Sequence, residues 1–163
     1  EDSYYDLLSA FQKSIRGSDV NAALYYLARL LEGGDLEMAC RRLNVAVYED
    51  IGLANPSLGP KVDAAINSAM RLGMPEARIP LANVTIEAAL SPKSNSAIMG
   101  IDNALNDIRK GNAGRIPRHI TTTSKDYKYP HNFKNYYVKQ QYLPDKNKDS
   151  VYYKPKNNKY EKI

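Results

Sequence analysis

The chain has 163 residues, of which 43% are hydrophobic and 25% charged, with 13 tyrosines, no tryptophan and a formal net charge of +5. That length holds one domain with a real core plus an appendage. Cys40 is the only cysteine, which excludes a disulfide framework within the chain and points to a reducing cytosol. No apolar run approaches the roughly 18 residues of a membrane span. Glu1-Asp2-Ser3-Tyr4-Tyr5-Asp6 has neither the basic nor the apolar region of a secretory signal. Glu1 in place of Met leads to the expectation of a fragment of a longer chain.

A first helix is expected to open at Ser3, where Ser3 and Asp6 have capping-box spacing. Tyr4, Leu8, Phe11 and Ile15 recur at helical intervals, and Gly17 is the stop. Ser18 or Asp19 caps a second helix that is apolar almost all round from Ala22 to Leu31 and ends at Gly33-Gly34. Such a helix must be covered on most sides, by its own domain or by another subunit. Asp35 caps a third, with Leu36, Ala39, Cys40, Leu43 and Val47 inward and Glu37, Arg41, Arg42 and Asn44 outward, closed by Gly52. A turn at Asn55-Pro56-Ser57 leads to a fourth helix built on Val62, Ala65, Ile66, Ala69 and Met70, which stops at Gly73. Pro75 suits the first turn of a fifth helix, and Pro80 implies a kink or a late start near Ile79. Ser94 or Asn95 caps a sixth, with Ala97, Ile98, Ile101, Ala104, Leu105 and Ile108 on one face and Asp102, Asn103, Asn106 and Asp107 on a solvated one. The pattern predicts an all-α six-helix bundle over residues 1–113.

After residue 113 the composition changes. Residues 1–113 carry 11 basic and 14 acidic side chains, net −3, whereas residues 114–163 carry 12 and 4, net +8, together with eight of the tyrosines. This second part reads as an extended Tyr/Lys-rich arm packed on the helices, with short strands possible at Tyr136-Tyr137-Val138 and Val151-Tyr152-Tyr153. The expected aromatic anchors are Tyr127, Tyr129, Phe133, Tyr136, Tyr142 and Tyr152.

Chemistry-bearing patterns are sparse. No G-x-x-x-x-G-K-[ST] loop is present, and Gly33-Gly34 and Gly111-Asn112-Ala113-Gly114 follow helices, as stops do. His119 and His131 lack metal-ligand spacing, and Cys40 lies on an apolar stripe where an inert core thiol is expected. Glu49-Asp50 are adjacent at a helix end, where neighbours diverge by about 100°, so they read as a solvated or salt-bridged terminus. No catalytic, cofactor or metal residues are assigned.

Several segments resemble one family in its own order. They are Tyr5-Asp6-Leu7-Leu8-Ser9-Ala10-Phe11-Gln12-Lys13-Ser14-Ile15-Arg16-Gly17-Ser18-Asp19, Ala22-Ala23-Leu24-Tyr25-Tyr26-Leu27-Ala28-Arg29, Glu49-Asp50-Ile51-Gly52-Leu53-Ala54, Pro75-Glu76-Ala77-Arg78-Ile79-Pro80-Leu81-Ala82 and Ser91-Pro92-Lys93-Ser94-Asn95. Tyr127-Lys128-Tyr129-Pro130-His131 and Gln141-Tyr142-Leu143-Pro144 continue them. Together they resemble the region after the ATPase core in the replication-associated recombination protein A family, which includes the eukaryotic Werner-helicase-interacting ATPases. Thr121-Thr122-Thr123-Ser124-Lys125-Asp126 departs from the pattern, since the family carries a longer Lys/Gly-rich stretch there.

The resemblance implies a clamp-loader-related AAA+ ATPase of the cytoplasm and nucleoid, acting at stalled or gapped replication substrates. It also implies that this region is a collar-like oligomerisation part of a homotetramer. ATP and magnesium would bind an upstream domain, DNA would be met through the parent protein, and single-stranded-DNA-binding protein is an expected partner. Leu24, Tyr25, Tyr26, Leu27, Leu30, Leu31, Leu81, Val84 and Leu90 are the candidate oligomer interface. The alternative is a DNA-binding module, with Arg115, Arg118, Lys125, Lys128, Lys134 and Lys139 as phosphate contacts.

Overall fold

A computed structural model describes residues 3–161, so Glu1 and Asp2 of the N-terminal reading lie outside the described residues. The helices are α1 (Tyr4–Arg16), α2 (Val20–Glu32), α3 (Leu36–Ala46), α4 (Leu58–Leu72), α5 (Arg78–Leu90) and α6 (Ser96–Arg109). The architecture is all-α, as the periodicity predicts, and no strand occurs among the described residues.

Local chemistry sets the helix ends. Ser3 and Asp6 form a reciprocal capping box on α1. Asp19 and Asp35 accept from the backbone N–H groups of Ala22 and Met38 to cap α2 and α3. At the α1 stop it is Ser18, not Gly17, that takes the left-handed conformation, with φ 60°. Gly73 ends α4 at φ 68° and ψ 176°, a backbone region open essentially to glycine alone. Pro75 does not enter the fifth helix. It sits in the turn before it, after a cis Met74–Pro75 bond, and the helix begins at Arg78. Pro80 is then the third helical residue, where no intrahelical N–H partner is required, so α5 accepts it without a kink.

The chain divides into two compact units, residues 1–98 with 155–163, and residues 99–154. The division falls inside α6 instead of after residue 113. In the first unit α1 packs on α2, α2 on α5 and α4 on α5, with α3 against α1, α2 and α4. Leu8, Phe11, Ile15, Leu30, Leu43, Leu58, Val62 and Leu81 are sealed in this core. Each such side chain stabilises the fold by about 1.5–3 kcal/mol relative to exposure. The six helices are those the sequence pattern predicts, and the fully buried side chains of the first unit's core come mainly from α1 to α5. Between Val47 and Ile51 the last turn of α3 widens into a π turn. Tyr48 in that turn lies so close to Gly59 that a Cβ there would collide with its ring.

The second unit is the body of α6 plus an irregular arm with short 3-10 turns at Arg118–Ile120, Pro130–Asn132, Lys134–Tyr136 and Asp145–Asn147. The predicted strand at Tyr136-Tyr137-Val138 is absent because Asn135 and Tyr136 take φ 59° and 58°, which breaks extended geometry. Val151-Tyr152-Tyr153 is likewise not a strand.

Candidate functional site

Polar side chains gather at the π turn. Arg16 Nε donates to Asp50 Oδ1 and its Nη2 to Glu49 Oε2, both at 2.9 Å. Gln12 Nε2 donates to the same two carboxylates at 2.9 and 3.2 Å, while its Oε1 accepts from Arg42 Nη1 at 3.1 Å. The divergence expected of neighbouring carboxylates on an α-helix does not hold here, because both converge on Gln12 and Arg16. The widened turn sets their direction. The Asp50 hydrogen bond raises the Arg16 guanidinium pKa further above its ordinary value. Asp50 also accepts the Ser94 N–H through its carbonyl, at 2.8 Å. Lys93 beside it donates to Ser18 Oγ and to the Ala89 and Ser91 carbonyls, and burial lowers its ammonium pKa. The groups of the cluster face one another, so the arrangement ties α3 to α1 and to the Lys93-Ser94 segment.

A second cluster sits at the start of α6. The buried Glu161 carboxylate accepts from Ser94 Oγ at 2.6 Å, from Ser96 Oγ and from Asn158 Nδ2 at 2.5 Å. Ser94 Oγ in turn accepts the Ser96 N–H at 3.3 Å, so Ser94 serves the first residue of the helix, with a carboxylate at the helix's positive end. Sequence reading missed Glu161. Its one signal is that it is the only glutamate after residue 113.

The second unit is held by comparable polar staples. Asn147 Oδ1 accepts the Gly114 N–H at 3.1 Å and its Nδ2 donates to the Asn112 carbonyl at 2.7 Å. Lys146 Nζ donates to the Gly111 carbonyl at 2.9 Å. Tyr152 Oη donates to Asp107 Oδ2 at 2.6 Å, so Asp107 is engaged and not merely solvated. His119 Nε2–H donates to the Gln141 carbonyl at 2.6 Å. Of the six expected aromatic anchors, Tyr152 is half-buried, whereas Tyr127, Tyr129, Phe133, Tyr136 and Tyr142 are exposed. Hydrogen bonds of Lys146, Asn147, His119 and the Tyr152 hydroxyl tie the arm down.

The candidate interface residues separate into two groups. Leu27, Leu30, Leu31, Leu81 and Val84 are buried in the chain's own bundle, because α2 and α5 pack against each other and against α1. They cannot form an open patch. Leu24 and Tyr26 are half-buried, and Tyr25 and Leu90 are exposed. Further exposed apolar side chains lie on α6: Ala97, Ile101 and Ile108 of its predicted inner stripe are exposed, as are Met99 and Ile116 nearby, while Ile98, Ala104 and Leu105 of that stripe are half-buried. Residues spaced by seven fall within about 20° on a helix, so Ile101 and Ile108 share one face.

Arg115, Arg118, Lys125, Lys128, Lys134 and Lys139 are all exposed. Arg41 is exposed on a shallow cleft of about 610 Å³ along α3, shared with Met38, Val45 and Tyr48. Cys40 is buried in the core, and burial raises its thiol pKa. Among the described residues no group of three His, Cys, Asp or Glu side chains could hold a metal ion, and no helix is long and apolar enough to cross a membrane.

Fold and site together define an all-α domain whose polar clusters fix its own elements while an apolar helix face stays open. The chain belongs to the family described as MgsA AAA+ ATPase C terminal, whose model matches residues 17–163. It is 61% identical over 95% of its length to replication-associated recombination protein A of Bacillus subtilis, of which it spans 39%. It is 33% identical to the Escherichia coli protein of the same name over 96% of its length, spanning 38% of that relative. Identity to the ATPase WRNIP1 of Dictyostelium discoideum is 32% over 95% of the chain and 19% of the relative. The chain thus covers about two-fifths or less of these relatives. The family is that of the AAA+ ATPases linked to replication and recombination.

Proposed function

We propose that this chain is the self-association domain of a larger AAA+ ATPase that works in replication-fork maintenance, repair and recombination, and that it assembles as a homotetramer. The observation that carries the reading is the open face of α6, where Ile101 and Ile108 are each 58% exposed. Exposed apolar side chains aligned on one helix face gain from a covering surface, and a second copy supplies one of the same chemistry with closed symmetry. Tyr25 and Leu90 are the remaining members of the sequence-based interface that can contribute. The relatives named above are AAA proteins of more than twice this length, so nucleotide and magnesium belong to the rest of the parent, as does DNA-coupled hydrolysis. Single-stranded-DNA-binding protein is a partner of the parent on this reading, and the cytoplasm and nucleoid are its location.

Light scattering at tens of micromolar protein tests the assignment. The chain should have the mass of four copies, and an Ile101→Asp/Ile108→Asp variant should have the mass of one. A monomeric parent chain at that concentration contradicts it.

A second reading adds nucleic-acid contact through the basic arm. It is favoured by the surface position of all six candidate phosphate contacts, with a net charge of +8 over residues 114–163.

A further inference from the structure

Four rings in the second unit form a connected row. Tyr127 meets Tyr129 edge-on with centroids 6.5 Å apart, Tyr129 meets His131 at 5.0 Å, and His131 meets Tyr136 at 5.7 Å. The successive planes are inclined by 65°, 40° and 52°, so none of the rings is stacked parallel on the next. Tyr129 is 51% exposed and Tyr136 is 74% exposed. Aromatic rings that fold for stability alone bury their area, and these do not.

The row is held in place by its backbone. Gln140 grips Lys128 at both main-chain groups, accepting its N–H at 3.4 Å and donating to its carbonyl at 2.7 Å. Asn132 N–H to the Tyr129 carbonyl and Tyr136 N–H to the Phe133 carbonyl close two tight turns. Tyr136 itself sits at φ 58°, an outlier for a bulky side chain and the kind of strain that gathers at functional positions. Lys125, Lys128 and Lys134, all exposed, alternate with these rings along the sequence, with Asp126 the one acidic side chain between residues 115 and 144.

We infer that Tyr127, Tyr129, His131 and Tyr136 form a stacking platform for single-stranded nucleic acid, with these lysines on its phosphates. This rests on the second reading above and locates it. Every base offers a π-face whatever its identity, so a ring row with cations alongside recognises single strands without sequence preference. Duplex DNA, whose bases are already stacked, could use only the lysines.

Fluorescence anisotropy of a labelled oligothymidine probe, titrated with the whole chain over a range of salt, tests the inference. Tyr129→Ala and Tyr136→Ala should each weaken binding roughly tenfold while leaving the salt slope unchanged. Tyr129→Phe and Tyr136→Phe should bind as the parent chain does. Lys128→Ala/Lys134→Ala should reduce the slope by about two phosphate contacts. Tyr137→Ala, which removes an exposed ring outside the row, should change nothing. If the alanine ring variants bind like the parent chain while the lysine variant weakens, the platform is refuted and the basic-arm reading survives. If the ring variants change the sedimentation of the chain but not its probe affinity, the row is a protein contact and the inference fails. If the parent chain shows no salt-dependent binding, the basic-arm reading and the platform fall together.

Discussion

Among the described residues, every buried hydrophobic side chain lies between Leu8 and Ala89, while the second unit, Met99–Lys154, buries only Asn147. The first unit is a conventional hydrophobic bundle. The second has Met99, Ile101, Ile108, Ile116, Phe133 and most of its tyrosines on the surface, and hydrogen bonds to backbone carbonyls and N–H groups shape it. Fixing a residue's backbone costs roughly 1–2 kcal/mol and a net hydrogen bond returns about 1 kcal/mol. A segment with little buried apolar area is therefore the part of the chain that gains most from a covering partner. The contrast teaches that apolar content alone does not locate an interface. α2 is the more apolar of the two helices in sequence, yet its Leu27, Leu30 and Leu31 are enclosed by the bundle, while Ile101 and Ile108 of α6 are exposed.

The largest expected effect belongs to the first unit. Phe11→Ala should destabilise the bundle by about 3–5 kcal/mol, read as a lower urea midpoint, because the ring is fully buried. If the variant unfolds at the parent midpoint, the bundle core is elsewhere. Asn147→Ala should have a smaller and confined effect. It strands the Gly114 N–H and the Asn112 carbonyl, a local loss of about 1–3 kcal/mol, so proteolysis within residues 111–154 should accelerate while the urea midpoint of the bundle stays fixed. A shift of that midpoint would show that the two units unfold as one.

Much of the first unit was legible in sequence because its signals are local. The capping box at Ser3, the aspartate caps at Asp19 and Asp35, and the stop at Gly73 follow from side-chain reach and backbone sterics over four residues. The charge change after residue 113 marked the arm but not the compact unit, since α6 joins the arm through Asp107–Tyr152, a pairing 45 residues apart in sequence. The same limit hid the roles of Asn147 and Glu161. Neither sits in a motif, and what defines each is a partner 33 to 67 residues away. The convergence of Glu49 and Asp50 was missed for another reason, because a π turn changes the angle between neighbours and leaves no compositional trace.

The smallest effect concerns the edge of the bundle. Lost hydration and the hydrogen bond to Asp35 push the Tyr4 phenol up from 10.0 to about 12, and the same bond holds the Asp35 carboxyl below 3.8. A raised phenol pKa contributes stability that is complete below pH 10.0 and lost as pH rises toward 12; a depressed carboxyl contributes stability above 3.8 that is lost on further acidification. Tyr4→Phe should flatten the alkaline limb of a stability-against-pH curve, and an unchanged limb would remove Tyr4 from that role.

Hydrogen exchange measured at several protein concentrations tests the central contrast most directly. Amides of Met99–Arg109 should gain protection as concentration rises, because self-association covers the open face of α6, while those of α1 and α4 should not change. Protection of α6 that is independent of concentration, in a chain that remains monomeric throughout, would contradict the assignment of α6 as the self-association surface.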